Sequence, residues 1–178
     1  MKRNLKTNNY SLRERTLIDL SQLLKLPNSV FVKKLNLTTD FNIENEKKRI
    51  KRLIGRSSDE YILWDIYENN NHLNIGNLGF HNLSLEHKRS EIGYWCHQDW
   101  RNKGVIQECL SRIIKYGFEI LNLNRIEAYL DEKNGASEAV LKKLNFTKEG
   151  LLRQHYIHGG KVCDSLVYSL LKDDVRQV

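Results

Sequence analysis

Apolar and other residues alternate over residues 10–15 and then change period, with Leu17, Leu20, Leu23 and Leu24 recurring three or four apart behind Thr16. This predicts an edge strand and a helix capped near Thr16. A second helix is predicted from Ile43, Ile50, Leu53 and Ile54, with Asp40 or Asn42 as its cap. Lys47, Lys48, Arg49, Lys51, Arg52 and Arg56 crowd its other side. Residues 61–67, 73–80 and 91–96 read as successive antiparallel strands, with the polar run 68–72 as a hairpin loop. In the third strand Ile92, Tyr94 and Cys96 share one face, and Gly93 and Trp95 the other. From residue 104 to 122 the apolar positions Ile106, Cys109/Leu110, Ile113, Gly117 and Ile120/Leu121 define a buried helix face. That helix joins the strand at 91–96 to a short strand at 125–130, a crossover that makes the two parallel. Ala136, Ala139/Val140 and Leu144 mark a further helix, ended by Asn145 in the left-handed position that usually takes glycine. Gly159 and Gly160 turn the chain into the alternating strand 165–171. The expected architecture is α/β of the α+β kind: one domain over residues 1–178, built on a mixed sheet with helices on both faces.

Chemistry enters at the helix start. Arg101, Asn102, Lys103, Gly104, Val105 and Ile106 bring two cations and unpaired backbone N–H groups to the positive end of a helix dipole, a setting suited to a pyrophosphate. From the residues alone this is equally an ordinary strand-turn-helix with a solvated basic turn, and Asn134 and Ser137 are a helix cap and a polar residue of its first turn. The 178 residues, 40% of them hydrophobic, suffice for a sizeable core. The cysteines Cys96, Cys109 and Cys163 are odd in number and lack metal-type spacing, so structural thiols in a reducing compartment are expected and no metal site is. No apolar run resembles a signal peptide or spans a bilayer, which points to a cytoplasmic protein.

The segment EIGYWCHQDWRNKGVI, the stretch DEKNGASEAVLKKLNF and the tail EGLLRQHYIHGGKVCDSLVYSLLKDD together resemble the GNAT superfamily of N-acetyltransferases, in its RimJ/RimL-like branch. The resemblance covers roughly the C-terminal half of the chain. Arg101 and Gly104 match the first and fourth positions of the family's Arg/Gln-x-x-Gly-x-Gly/Ala loop, whereas Ile106 replaces the small residue at the sixth. Asn134 and Ser137 match its Asn-x-x-Ser element. What this implies is the GNAT acyl-CoA N-acyltransferase fold, a central mixed sheet whose parallel strand pair splays apart to admit acetyl-CoA. The pantetheine would lie along Trp95, Cys96 and His97, the pyrophosphate on residues 101–106, Asn134 on the pantetheine arm and Ser137 beside the thioester sulfur. Many members carry a tyrosine seven residues after the Asn to protonate the departing thiolate. Leu141 stands there, so Ser137 is the expected substitute.

The implied reaction is direct acetyl transfer to an amine that is mostly protonated at neutral pH, so a base is useful. Glu91, at the strand beneath the splay, and His155, on the tail strand, are the candidates, with His158 nearby; the backbone near Trp95 or Cys96 is the candidate oxyanion donor. His97 itself is expected as a surface residue at the strand end. The formal charge of +7 favours anionic partners, CoA phosphates and possible RNA among them. RimJ/RimL-like enzymes acetylate protein N-termini, notably of ribosomal proteins, and the basic helix at 44–56 offers a route to ribosomal RNA. A small amine, such as an aminoglycoside or polyamine, is the alternative acceptor. A non-catalytic RNA-binding module using Trp64, Trp95 and Trp100 is a further alternative. A homodimer is expected because related enzymes often pair.

Overall fold

The computed structural model describes residues 3–35, 42–55, 60–70 and 73–176. Asp40, Arg56, the end of the 68–72 run and the His158 side chain lie outside the described residues. The elements run β1 (Leu5–Lys6), β2 (Tyr10–Glu14), α1 (Leu17–Leu24), α2 (Asn28–Leu35), α3 (Ile43–Ile54), β3 (Ile62–Glu68), β4 (Asn74–Ser84), β5 (Arg89–Cys96) and α4 (Val105–Glu119). They continue with β6 (Arg125–Asp131), α5 (Gly135–Lys143), β7 (Thr147–His158), β8 (Lys161–Leu171) and α6 (Lys172–Arg176). The strands form one mixed sheet in the order β1-β2-β3-β4-β5-β6-β8-β7, with β5 and β6 its parallel pair.

Local chemistry accounts for most of these boundaries. Thr16 caps α1 in a reciprocal box with Asp19, and the Asn42 side chain accepts the Asn45 N–H at the start of α3. Asn145 takes φ 62°, and Gly159 and Gly160 take φ 56° and 77° in the two-residue turn between β7 and β8.

Two apolar clusters hold the layers together. The larger lies between the sheet and α4 with α5, and includes Trp64, Phe80, Ile92, Cys109, Ile113, Leu141 and Tyr168. The smaller joins Leu20, Phe31, Ile50 and Leu53 of α1–α3 to Tyr61 and Leu63 on the opposite sheet face. Each fully buried Leu, Ile or Phe stabilises the fold by about 1.5–3 kcal/mol. Helix α4 approaches the sheet closely at Gly117, where an added Cβ would come within 2.8 Å of Phe80.

Four details differ from the sequence reading. β2 is covered on its outer side by β1, through Leu5 opposite Leu12, so it is not the edge. A two-residue strand leaves no periodic signal. α2 is a separate helix that the sequence pattern does not distinguish, because only Phe31 and Leu35 of its eight residues are buried and so short a repeat is ambiguous. Ile120 is 67% exposed rather than part of the buried face, since α4 ends at Glu119 and Leu123 closes the helix end instead, its N–H donating to the Gly117 carbonyl. On α5 Val140 and Leu144 pack on the larger cluster as expected, but the fully buried residue is Leu141, and Ala136 and Ala139 face solvent.

Candidate active site

Strands β5 and β6 pair over only three positions, Arg89 with Arg125, Ser90 with Ile126 and Glu91 with Glu127. Beyond Glu91 the two strands separate, β5 remaining on β4 and β6 on β8. The opening is a cleft of about 440 Å³ lined by Glu91, Tyr94, Tyr129, Asn134, Ser137, Leu141 and His155 among others. Antiparallel pairing alternates the direction of the main-chain groups. The His97 N–H donates to the Ile75 carbonyl at 2.9 Å, so His97, Trp95 and Gly93 turn their main chain toward β4. Those of Tyr94 and Cys96 turn toward the cleft. An extended amide-bearing ligand would therefore meet Tyr94 and Cys96, with Trp95 and His97 flanking them. His97 is 9% exposed rather than a surface residue; its Nδ1 accepts the Asp99 N–H in the short turn after β5.

Beyond the C-terminal end of β5 the loop from Arg101 to Gly104 leads into the first turn of α4. Asn102 takes φ 59° and Gly104 φ 77°, both left-handed, and Gly104 has nothing within 4 Å of a would-be Cβ. Gly104 is the N-cap and supplies no side chain; the first intrahelical bond runs from Glu108 N–H to Gly104 O. The N–H groups of Val105, Ile106 and Gln107 consequently have no intrahelical partner, which suits an anion. Val105 is buried, and Ile106 packs on the larger core cluster. The Arg101 Nε donates to the Cys96 carbonyl at 3.3 Å, and Lys103 Nζ lies 5.3 Å from the Trp100 ring centre. The loop thus carries two exposed cations that pair with no carboxylate among the described residues.

Asn134 caps α5, its Oδ1 accepting the Ser137 N–H at 3.1 Å, and both residues line the cleft. The helix-cap geometry and the ligand-facing position coincide, because capping uses only the amide oxygen. Across the opening, the Tyr94 hydroxyl donates to the Ser137 carbonyl at 3.4 Å. Burial raises the Tyr94 pKa, opposed in part by the bond to Ser137, so this phenol stays protonated at neutral pH. Leu141 is fully buried in the same wall. Cys96 is no nucleophile: burial pushes its thiol up to about 11, against a smaller opposing effect of Arg101.

Glu91 and His155 both reach the cleft but in different settings. The Glu91 carboxylate accepts a hydrogen bond from Asn82 Nδ2 at 2.8 Å. His155 Nδ1 lies 2.9 Å from the Ser165 hydroxyl, with its ring tilted against Tyr129 at 5.5 Å. Tyr129 in turn donates to Glu127 at 3.2 Å, and burial followed by the Glu127 charge raises its pKa. Sequence reasoning passed over Tyr94 and Tyr129 as functional residues. Their signal was present, since β5 and β6 place Tyr94 and Tyr129 at the point of strand separation, but only the register brings them together.

A second cleft, of about 300 Å³, opens on the side of α2 and α3 and is lined by Arg15, Glu46, Arg49, Asn77, His81 and Trp95, among others. It shares Gly93 and Tyr94 with the first cleft. The two openings therefore meet across one segment of β5.

A family model described as an acetyltransferase (GNAT) domain matches residues 11–147. The chain is 42% identical over 112 residues to the uncharacterised N-acetyltransferase YoaA of Bacillus subtilis, covering 62% of this chain and 63% of YoaA. It is 30% identical over 83 residues to the [ribosomal protein uS5]-alanine N-acetyltransferase of Escherichia coli, covering 47% of this chain and 43% of that protein. It is 28% identical over 74 residues to the spermidine N(1)-acetyltransferase of Escherichia coli, covering 41% and 40%. Each of these matches spans less than two thirds of the relative's own length. Among solved structures, the ribosomal L7/L12 α-N-protein acetyltransferase RimL superimposes with a TM-score of 0.74 at 20% identity, covering 96% of this chain and 95% of the other.

Proposed function

Because the chain belongs to the GNAT acetyltransferase family, we propose that it transfers the acetyl group of acetyl-CoA to a primary amine, most simply the N-terminal α-amine of a protein. The observation that carries this reading is the junction of two clefts at Gly93 and Tyr94, one in the gap between β5 and β6 and lined by Asn134 and Ser137, the other open toward α2 and α3. A thioester on one side and an amine on the other can meet there without crossing the sheet.

In this reading the N–H groups of Val105, Ile106 and Gln107, with Arg101 and Lys103, hold the pyrophosphate. Asn134 and the strand edge at Tyr94 and Cys96 hold the pantetheine arm. Acetyl-CoA supplies an activated carbonyl; the protein positions it and moves two protons. The amine nitrogen loses a proton to Glu91 or His155 and forms the C–N bond, while the cleft-facing N–H of Cys96 or Tyr94 stabilises the oxyanion. The C–S bond then breaks, and Ser137 or the protonated Tyr94 hydroxyl returns a proton to the thiolate. Tyr94 adds to Ser137 a donor that fills the part Leu141 cannot.

The acceptor is the finer step. Relatives are named for an alanine of ribosomal protein uS5 or for spermidine, and the protein reading is favoured here by the net charge of +7, which disfavours a free polycation. Exposed Lys48, Lys51 and Arg52 on α3 belong to the same reading as a contact for ribosomal RNA. Pairing of two copies is supported by Ile157 and Val162, 74% and 59% exposed at the sheet's outer hairpin, and sedimentation velocity checks it. Calorimetric titration with acetyl-CoA, followed by thiol release with peptides, aminoglycosides and polyamines, tests the whole. Binding with amine-dependent thiol release is expected. Absence of binding would overturn the assignment and favour the RNA-binding alternative.

A further inference from the structure

The cleft beside α2 and α3 is lined by an arginine that the fold has almost wholly removed from solvent. Arg15 is 5% exposed, at the end of β2. Its Nε donates to Asp65 Oδ2 at 3.2 Å and its Nη2 to Asp65 Oδ1, which balances the buried charge. Its Nη1 hydrogen-bonds to no described residue, leaving two N–H donors. Tyr61 Oη is the one side-chain polar atom buried without a partner among the described residues, so the Nη1 donors are not sealed from water and a ligand oxygen entering the cleft can meet them. Asn77 lines the same cleft from β4, opposite Trp95, and its side-chain amide likewise bonds to no described residue.

The carboxylates of this side are already engaged. Glu46 is held by Arg49 through two bonds of 2.7 and 2.5 Å, and Asp65 by Arg15. In the adjoining cleft Asp19 is held by Thr16 and Glu14 by Arg3. A polyamine, which needs open carboxylates along its length, finds Glu46, Asp65 and Glu14 paired with arginines and Asp19 engaged by Thr16. A carbonyl oxygen finds donors.

We propose that Arg15 and Asn77 anchor the carbonyl that follows the reacting amine, so that this cleft admits an α-amine carried on a peptide backbone. The assignment rests on the acetyl-transfer reading, and goes beyond it in naming the residues that select the acceptor. Lysine at position 15 would keep the charge toward Asp65 but lose the fork that serves two partners at once.

The test is steady-state thiol release from acetyl-CoA with a short peptide bearing a free N-terminal alanine and, separately, with spermidine. Wild type, Arg15→Lys and Asn77→Ala are compared, with acetyl-CoA affinity and circular dichroism measured on each. The peptide KM is expected to rise roughly tenfold to hundredfold in Arg15→Lys, the range for losing a hydrogen bond to a charged group. Asn77→Ala should raise it by less, with acetyl-CoA affinity unchanged in both. Should Arg15→Lys fail to fold, Asn77→Ala carries the test, since that side chain supports no other described residue. An unmoved peptide KM in the folded variants, or a wild-type preference for spermidine, overturns the anchor while acetyl transfer stands. No thiol release from wild type with either amine overturns the acetyl-transfer reading itself, and the anchor with it.

Discussion

The two clefts that meet at Gly93 and Tyr94 are built on opposite electrostatic plans. On the α4 side the main-chain N–H donors of the helix start and the loop cations Arg101 and Lys103 stand apart from Glu91 and Asp131, which line the cleft, and among the described residues no carboxylate pairs with either cation. On the α3 side every described charge near the opening is already balanced, Arg15 by Asp65 and Arg49 by Glu46. The first plan suits a ligand that brings its own charge. The second suits a ligand recognised by shape and hydrogen bonds, because a new charge there would compete with ion pairs that already exist.

The comparison breaks most visibly at the shared wall. Tyr94→Phe and Ser137→Ala test which group returns the proton to the thiolate; the true donor should cost about 100-fold or more in kcat with acetyl-CoA affinity retained. If neither variant loses turnover, proton return does not use this wall. Next in size, replacing Glu91 by Gln or His155 by Asn should flatten or shift the pH–rate limb of whichever is the base, and unchanged profiles in both would indicate a water-mediated route.

Gly104→Ala sharpens the contrast between the sides. A left-handed φ of 77° costs a side-chain-bearing residue about 1–2 kcal/mol. The loss should appear in denaturant stability and in acetyl-CoA affinity, with the acceptor KM unmoved. Asn134→Ala should remove about 1 kcal/mol of α5 capping and weaken acetyl-CoA binding, again without touching the acceptor. An acceptor KM that follows acetyl-CoA affinity in these variants would erase the division of labour between the clefts.

The smallest effect lies away from both clefts. Hydrogen bonds from Arg125 and then Ser169 hold the Glu149 carboxyl at about 2. A depressed carboxyl stabilises the fold above its unfolded pKa, and this contribution is lost as pH falls from about 4.3 toward 2. Glu149→Gln should therefore flatten the acid limb of a denaturant-stability titration slightly and leave both KM values alone.

How legible each side was in the sequence follows from its construction. The α4 side is made of short-range features: Gly104 begins a helix whose apolar repeat is readable, and Asn134 stands three residues before Ser137 on another. The parallel pairing of β5 with β6 followed from the intervening helix. The point of separation did not, since it depends on β6 remaining on β8 while β5 remains on β4. The α3 side was almost silent, because Arg15 and Asp65 are fifty residues apart and neither falls in a motif. Arg15 read as the end of an alternating strand, and only the packing of α1–α3 on the sheet turns that exposed-looking arginine into a buried one.

In the proposed arrangement acetyl-CoA occupies the β5–β6 opening and leaves the α3 side free for the amine. Hydrogen exchange with and without acetyl-CoA tests it most directly. Slowed exchange is expected at Tyr94 and Cys96 and in the first turn of α4, with α1–α3 unchanged. Protection confined to α1–α3, or none at any amide, would contradict it.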